Sequence, residues 1–141
     1  MEKEIKHTWH FDKSPEVVWD YLTKPELLEQ WLMKSDFKPV LGHKFRFTSP
    51  SGCVHDCKVL EIKPFTRLSY SWQKKSDKDG KPFDSLVVWT LVPKGKGTEL
   101  EIVHNGFTAL EDYVAHDKGW AYLGNQFMEL LNKMEYGNSK V

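Results

Sequence analysis

The side chains best equipped for chemistry in this chain fall into three groups. They are the run Cys53-Val-His-Asp-Cys57, two isolated histidines at 104 and 116, and a set of large aromatic residues between Trp31 and Phe127. Cys53, His55 and Cys57 carry the donor atoms that zinc prefers, and alternate spacing puts all three on one face of a strand. An extended strand holds the outer pair about 13 Å apart, whereas the ligands of one tetrahedral zinc converge within about 2.3 Å of the metal. No metal site is expected there. The same separation forbids a disulfide, and two free thiols agree with a reducing compartment.

His104 follows Leu100 and Ile102 at a period of two, so an ionisable ring closes an otherwise apolar strand face. Such a ring can orient a ligand hydroxyl or carboxylate, or move a proton as acid and base. It can equally be a buried neutral imidazole satisfied by its surroundings. His116, one helical turn before Trp120, is placed near the mouth of the same interior. No serine sits in a Gly-x-Ser-x-Gly elbow, and Gly95-Lys-Gly97 reads as a hairpin turn rather than a phosphate loop. No inward pair of carboxylates completes an acid–base site, so neither catalytic residues nor a cofactor are assigned.

The elements that must position these residues follow from periodicity. Ile5, His7, Trp9 and Phe11 alternate with polar neighbours and predict a first strand. Ser14-Pro15-Glu16 is a helix start, with a hydroxyl cap, a proline at the first helical position and an acid near the positive end of the dipole. Val17, Val18, Tyr21 and Leu22 form the buried side of that helix. A second short helix runs from Glu26 to Leu32 on Leu27, Leu28 and Trp31. The period then returns to two for five strands, marked by Phe45 and Phe47, Val54 to Ile62, Leu68 to Trp72, Ser85 to Val92, and Thr98 to His104. Asn105-Gly106 is read as the end of the sheet. A long helix over about 113–134 carries the stripe His116, Trp120, Leu123, Phe127, Leu130, Leu131 and Met134.

Strand, two short helices, a run of antiparallel strands and one long helix predict an α+β fold, with a curved sheet wrapped around the last helix. A single domain over 1–136 with a loose tail at 137–141 is expected. Lys+Arg and Asp+Glu each number 20, which leaves no net field for phosphate backbones or anionic lipid. The basic residues Lys74, Lys75, Lys78 and Lys81 are interrupted by Asp77 and Asp79 and read as a solvated hairpin tip. Neither nucleic acid nor membrane is an expected partner. No apolar run reaches spanning length and the start lacks a signal-peptide core, so a cytoplasmic location is expected.

Four stretches resemble a known family. Val18-Trp-Asp-Tyr-Leu-Thr-Lys-Pro-Glu-Leu-Leu-Glu-Gln-Trp31, Pro64-Phe-Thr-Arg-Leu-Ser-Tyr-Ser-Trp72, Gly97-Thr-Glu-Leu-Glu-Ile-Val-His-Asn-Gly-Phe107 and Gly119-Trp120 are similar, in order, to the activator-of-Hsp90-ATPase-homologue proteins of the START/Bet v 1-like superfamily. The resemblance implies a helix-grip fold with a deep cavity beneath the long helix. Ligands in that superfamily range over lipids, polyketides and phenolics, so the fold does not name the guest. The eukaryotic co-chaperone behind the family name carries an additional N-terminal domain for Hsp90, for which this chain has no room. Hsp90 contact is not expected.

Together these readings predict a protein that binds a small apolar or aromatic molecule. The expected lining is Trp31, Phe45, Phe47, Tyr70, Trp72, Trp89, Leu91, Ile102, His104, His116, Trp120, Leu123 and Phe127. A cyclase- or dehydratase-type enzyme using the same cavity and a chaperone-associated module are the alternatives. A plainly filled core is the competing reading of the same aromatic pattern.

Overall fold

The computed structural model describes residues 3–139, with side chains described through Lys133. Strand β1 (Lys3–Phe11) leads into helices α1 (Pro15–Thr23) and α2 (Pro25–Trp31). Ser14 Oγ accepts from the Val17 amide and Pro15 occupies the first turn of α1, as the Ser-Pro-Glu start requires. Six further strands follow: β2 (Lys34–Ser35), β3 (Lys44–Thr48), β4 (Val54–Lys63), β5 (Arg67–Lys75), β6 (Pro82–Lys94) and β7 (Gly97–Phe107). Helix α3 (Leu110–Ser139) comes last.

All strands pair antiparallel in one curved sheet of order β1-β7-β6-β5-β4-β3-β2. The chain thus meanders from β2 to β7, and β1 returns to pair with β7. The register aligns inward residues in rows across the strands. Ile5, His104, Val87, Tyr70 and Val59 form one row, and Ser85, Trp72, Cys57 and Phe45 another. Register shifts at Lys3/Ile5 and Val59/Glu61 interrupt the pleat and help the sheet to bend. The extra residue of the second, Leu60, is turned outward and exposed.

The core lies between the concave sheet face and the three helices. It runs from Ile5, Trp9 and Phe11 on β1 through Trp89, Leu100 and Ile102 to Phe127 and Leu131 on α3. Helix α3 approaches β1 closely because Gly124 has no side chain: a Cβ there would overlap the Trp9 ring, whose Nε1 donates to Asn125 Oδ1 at 3.2 Å.

Four details differ from the reading of the sequence. Strand β7 continues through Asn105-Gly106 to Phe107, because Gly106 at φ +108° turns the backbone while remaining against Ser85. Helix α3 begins at Leu110, before the start expected at about 113, since Leu110 is exposed and adds nothing to the periodic signal. Strand β2 spans two residues, too few for alternation to register. Phe37, in the irregular segment after it, is 1 % exposed and belongs to the core. Of the expected helix stripe, the Met134 side chain lies outside the described side chains. The helix bounds reach Ser139, and the tail expected at 137–141 lies outside the residues whose side chains are described. No described helix is long and apolar enough to cross a membrane.

Candidate functional site

The sheet and α3 diverge at the end where β4 and β5 meet the first half of the helix. An opening of about 180 Å³ lies between them. From β5 it is lined by Trp72 and Lys74, which alternation puts on one face, and from β4 by His55. The helix contributes Ala115, His116, Gly119, Trp120 and Leu123, residues separated by three and four, and Met33 closes the side beyond α2. Gly119 matters by what it lacks, since a Cβ placed there meets nothing within 4 Å.

Trp72, His116, Trp120 and Leu123 from the expected set line this opening. Trp31, Phe45, Phe47, Tyr70, Trp89, Leu91, Ile102, His104 and Phe127 lie behind it, packed against one another. Trp31 stacks on Phe127 with centroids 4.2 Å apart and planes 10° apart, and meets Trp89 edge-on at 6.0 Å. Phe45 contacts Phe47 and Tyr70 edge-to-face. Phe37 adds a further edge to Phe45 at 4.8 Å. Tilted rings fill space that parallel rings would leave open, which is why much of the aromatic interior is solid. Leu91 and Ile102 are 2 % and 0 % exposed within it.

The polar atoms of this interior are closely matched. Trp72 Nε1 donates to His116 Nε2 at 3.1 Å, and His116 Nδ1 donates to the Asp112 carbonyl at 2.8 Å. Trp120 Nε1 donates to His104 Nδ1 at 2.9 Å, while His104 Nε2 lies 2.7 Å from Ser85 Oγ. Ser85 in turn donates to the Trp72 carbonyl. An indole N–H can only donate, so each histidine must present a bare nitrogen to its tryptophan. His104 is therefore neutral with its proton on Nε2, and His116 neutral with its proton on Nδ1. Burial holds both below the ordinary histidine range, and their mutual proximity lowers His104 further. Trp89 Nε1 donates to Tyr70 Oη, whose ionisation burial pushes up.

His55 differs from the other two. It is 6 % exposed, its ring lies 4.5 Å from that of Trp72, and Nδ1 has no hydrogen-bond partner among the described residues. Burial, then the proximity of His116 and Lys74, lowers its pKa to about 4, so it is neutral at pH 7. Cys57 is buried beside it on the same face and burial pushes its thiol up, whereas Cys53 is exposed ahead of the strand.

Met33, His55, Lys74, Ala115 and Gly119 did not emerge as lining residues from the sequence, which put Lys74 in a solvated hairpin tip, whereas its side chain is largely buried at the end of β5. Two of them carry a signal: His55 shares a period of two with Cys57 and Val59, and Lys74 continues the period of Trp72. Met33 lies between α2 and β2, where no period applies.

Larger hollows exist elsewhere, away from the interior between the sheet and α3. One of about 580 Å³ is edged by Asp36, Arg46, Asp56 and Lys58.

A family model described as "Activator of Hsp90 ATPase homolog 1-like protein" matches residues 12–132. Among solved structures, protein MLL2253 from Mesorhizobium loti is 34% identical with a TM-score of 0.86, the alignment covering 93% of this chain and 98% of that one. The Aha1 dimer from Colwellia psychrerythraea is 21% identical, with coverage of 92% and 96% and a TM-score of 0.74. DynU16, a putative protein in the dynemicin biosynthetic locus, is 20% identical over 91% of this chain and 46% of its own, with a TM-score of 0.79. The last two likenesses show the fold alone. None of the curated proteins matches.

Proposed function

From the premise that the chain belongs to the Activator of Hsp90 ATPase homolog 1-like family, we propose that it binds a small, mostly apolar molecule between α3 and the β4–β5 end of its sheet. One observation carries this reading. The indole N–H groups of Trp72 and Trp120 are already taken by His116 and His104, so both rings offer a guest their carbon surfaces. Leu123, Met33 and Ala115 extend that apolar surface, and Gly119 leaves it open. Size limits the guest. A cavity of ~150 Å³ holds one benzene ring, and the opening measures about 180 Å³. Single-ring molecules are favoured over lipids and fused polyketides.

A cyclase- or dehydratase-type reaction in the same opening needs a group free to move a proton. His104 and His116 both have two engaged ring nitrogens, which favours binding over catalysis. Two free cysteines support a cytoplasmic location, and the balanced charge argues against nucleic acid and membrane surfaces. The test is a fragment library of one-ring aromatics read by amide chemical shifts and tryptophan fluorescence. Perturbations should cluster on His55, Trp72, Gly119, Trp120 and Leu123. A library without hits there, or hits confined to the outer sheet face, would overturn the proposal.

A further inference from the structure

Two polar side chains stand at the apolar opening with hydrogen-bonding capacity to spare. His55 Nδ1 is buried without a partner among the described residues, a situation that costs free energy and that a hydrogen-bonding guest relieves. The neighbouring histidines leave no such vacancy, because Trp72, Trp120, Ser85 and Asp112 occupy all four of their nitrogens. Lys74 is the second. Its side chain is 14% exposed, and Nζ donates to the Lys75 carbonyl and to Asp77 Oδ1, each at 3.1 Å. An ammonium carries three N–H groups, so one remains. Asp77 is half exposed and exchanges readily with water or another anion. Lys74 is also the one formal charge among the lining residues, since the lining holds no carboxylate and its histidines are neutral.

These features specify a guest. Space for one ring sets its size, and the indole faces set its apolar body. A hydroxyl suits Nδ1 in either tautomer of His55, because it both donates and accepts. A planar monoanion suits the single remaining ammonium N–H and is less costly to desolvate at an apolar mouth than a doubly charged phosphate. Resting on the reading that this opening is a ligand site, we infer that it selects single-ring hydroxyaromatic carboxylates, with the ring against Trp72 and Trp120, the hydroxyl on His55 Nδ1 and the carboxylate on the Lys74 ammonium.

Three probes separate the contributions: 4-hydroxybenzoate, benzoate without the hydroxyl, and p-cresol without the carboxylate. In calorimetric titrations the full protein should bind 4-hydroxybenzoate about tenfold more tightly than either of the others, the usual worth of one added hydrogen bond or ion contact. His55→Phe should remove the advantage over benzoate and leave benzoate itself unchanged. Lys74→Met should remove the advantage over p-cresol and leave p-cresol unchanged. In the unaltered protein the ¹⁵N resonance of His55 Nδ1 should move with 4-hydroxybenzoate and stay with benzoate, a readout that needs no variant to fold. Equal affinity for the three probes, or advantages that survive both substitutions, would overturn the inference while leaving a general apolar site standing. So would a site that takes other one-ring fragments but none of these probes. If no one-ring fragment binds at all, the underlying reading falls with it.

Discussion

His104 and His116 hold opposite tautomers because the indoles facing them can only donate. Protonating either ring would press a new N–H against an existing one, and burial adds its own penalty. His55, without an indole donor, is kept neutral by burial and by the nearby His116 and Lys74, with a backbone hydrogen bond to Phe47 and then Asp56 acting against that. Asp112 and Asp77 likewise oppose the lowering at His116 without cancelling it. In the unfolded chain all three titrate at about 6.5. Their folded pKa values lie lower, so the unfolded state binds more protons below that pH and stability falls with acidification. The stability is complete above about pH 6.5 and is lost for His55 as pH falls towards about 4, a contribution on the order of 3 kcal/mol at most. Urea midpoints at pH 7.5 and pH 5 should show a clear drop, and His55→Phe should reduce it. A flat profile would mean that the histidines protonate without strain. His104→Ala should cost about 3–5 kcal/mol of stability, through a cavity and through the stranded Trp120 N–H, while Ser85 keeps only its bond to the Trp72 carbonyl. Denaturant titration of that variant checks it, and a loss under 1 kcal/mol would reject the paired-histidine account.

Two glycines on α3 have opposite jobs, which makes the helix testable as an element. Replacing a mid-helix glycine with alanine ordinarily stabilises by about 1 kcal/mol. At Gly119 the added Cβ meets open space, so Gly119→Ala should raise the melting temperature. At Gly124 it would overlap the Trp9 ring, so Gly124→Ala should lower stability by about 1–3 kcal/mol despite the propensity gain. Thermal melts of the pair decide this, and a similar rise in both would show that α3 does not bear on β1 as described. Gly119→Leu extends the logic to the site. It should fill the opening and abolish the fragment-induced shifts while the protein stays folded. The positions of both glycines are visible in the sequence, but their opposite roles are not. Only the approach of α3 to β1 distinguishes them.

Across the whole molecule, α3 packs on β1, β7 and α2, and α1 packs on β6 and β7, so every helix shares its buried face with the sheet. No element can leave without exposing residues of the common core, as Phe127 shows by touching Phe11, Tyr21 and Trp31 from three different elements. We expect one cooperative transition, with far-UV circular dichroism and tryptophan fluorescence superimposing through denaturation. Separate midpoints for the two signals would divide the chain into independent units and reject the single domain expected over 1–136.

Alternation and helical spacing carry most of the architecture, because burial on one side imposes a period that the chain must show locally. The Ser14 cap, the five meandering strands, the Trp120–Phe127 stripe and the inward Trp72 and Trp89 all follow from that. Periodicity says which face a residue takes but not how completely the face is filled. Whether aromatic side chains leave a cavity depends on ring tilts between strands far apart in sequence, and here Trp31, Tyr70, Trp89 and Phe127 close the space that their pattern left open. It also cannot say which buried histidine is satisfied. His104 looked like the polar end of an apolar face, yet Trp120 and Ser85, which complete it, lie 16 and 19 residues away along the chain. His55 shared a strand face with two cysteines whose spacing argued against a metal, and the period gave it no other role; the fold sets its ring against Trp72 with Nδ1 unpartnered among the described residues. The chain's local order settles its faces. Only the contacts made when sheet and helix close decide which polar atoms find partners.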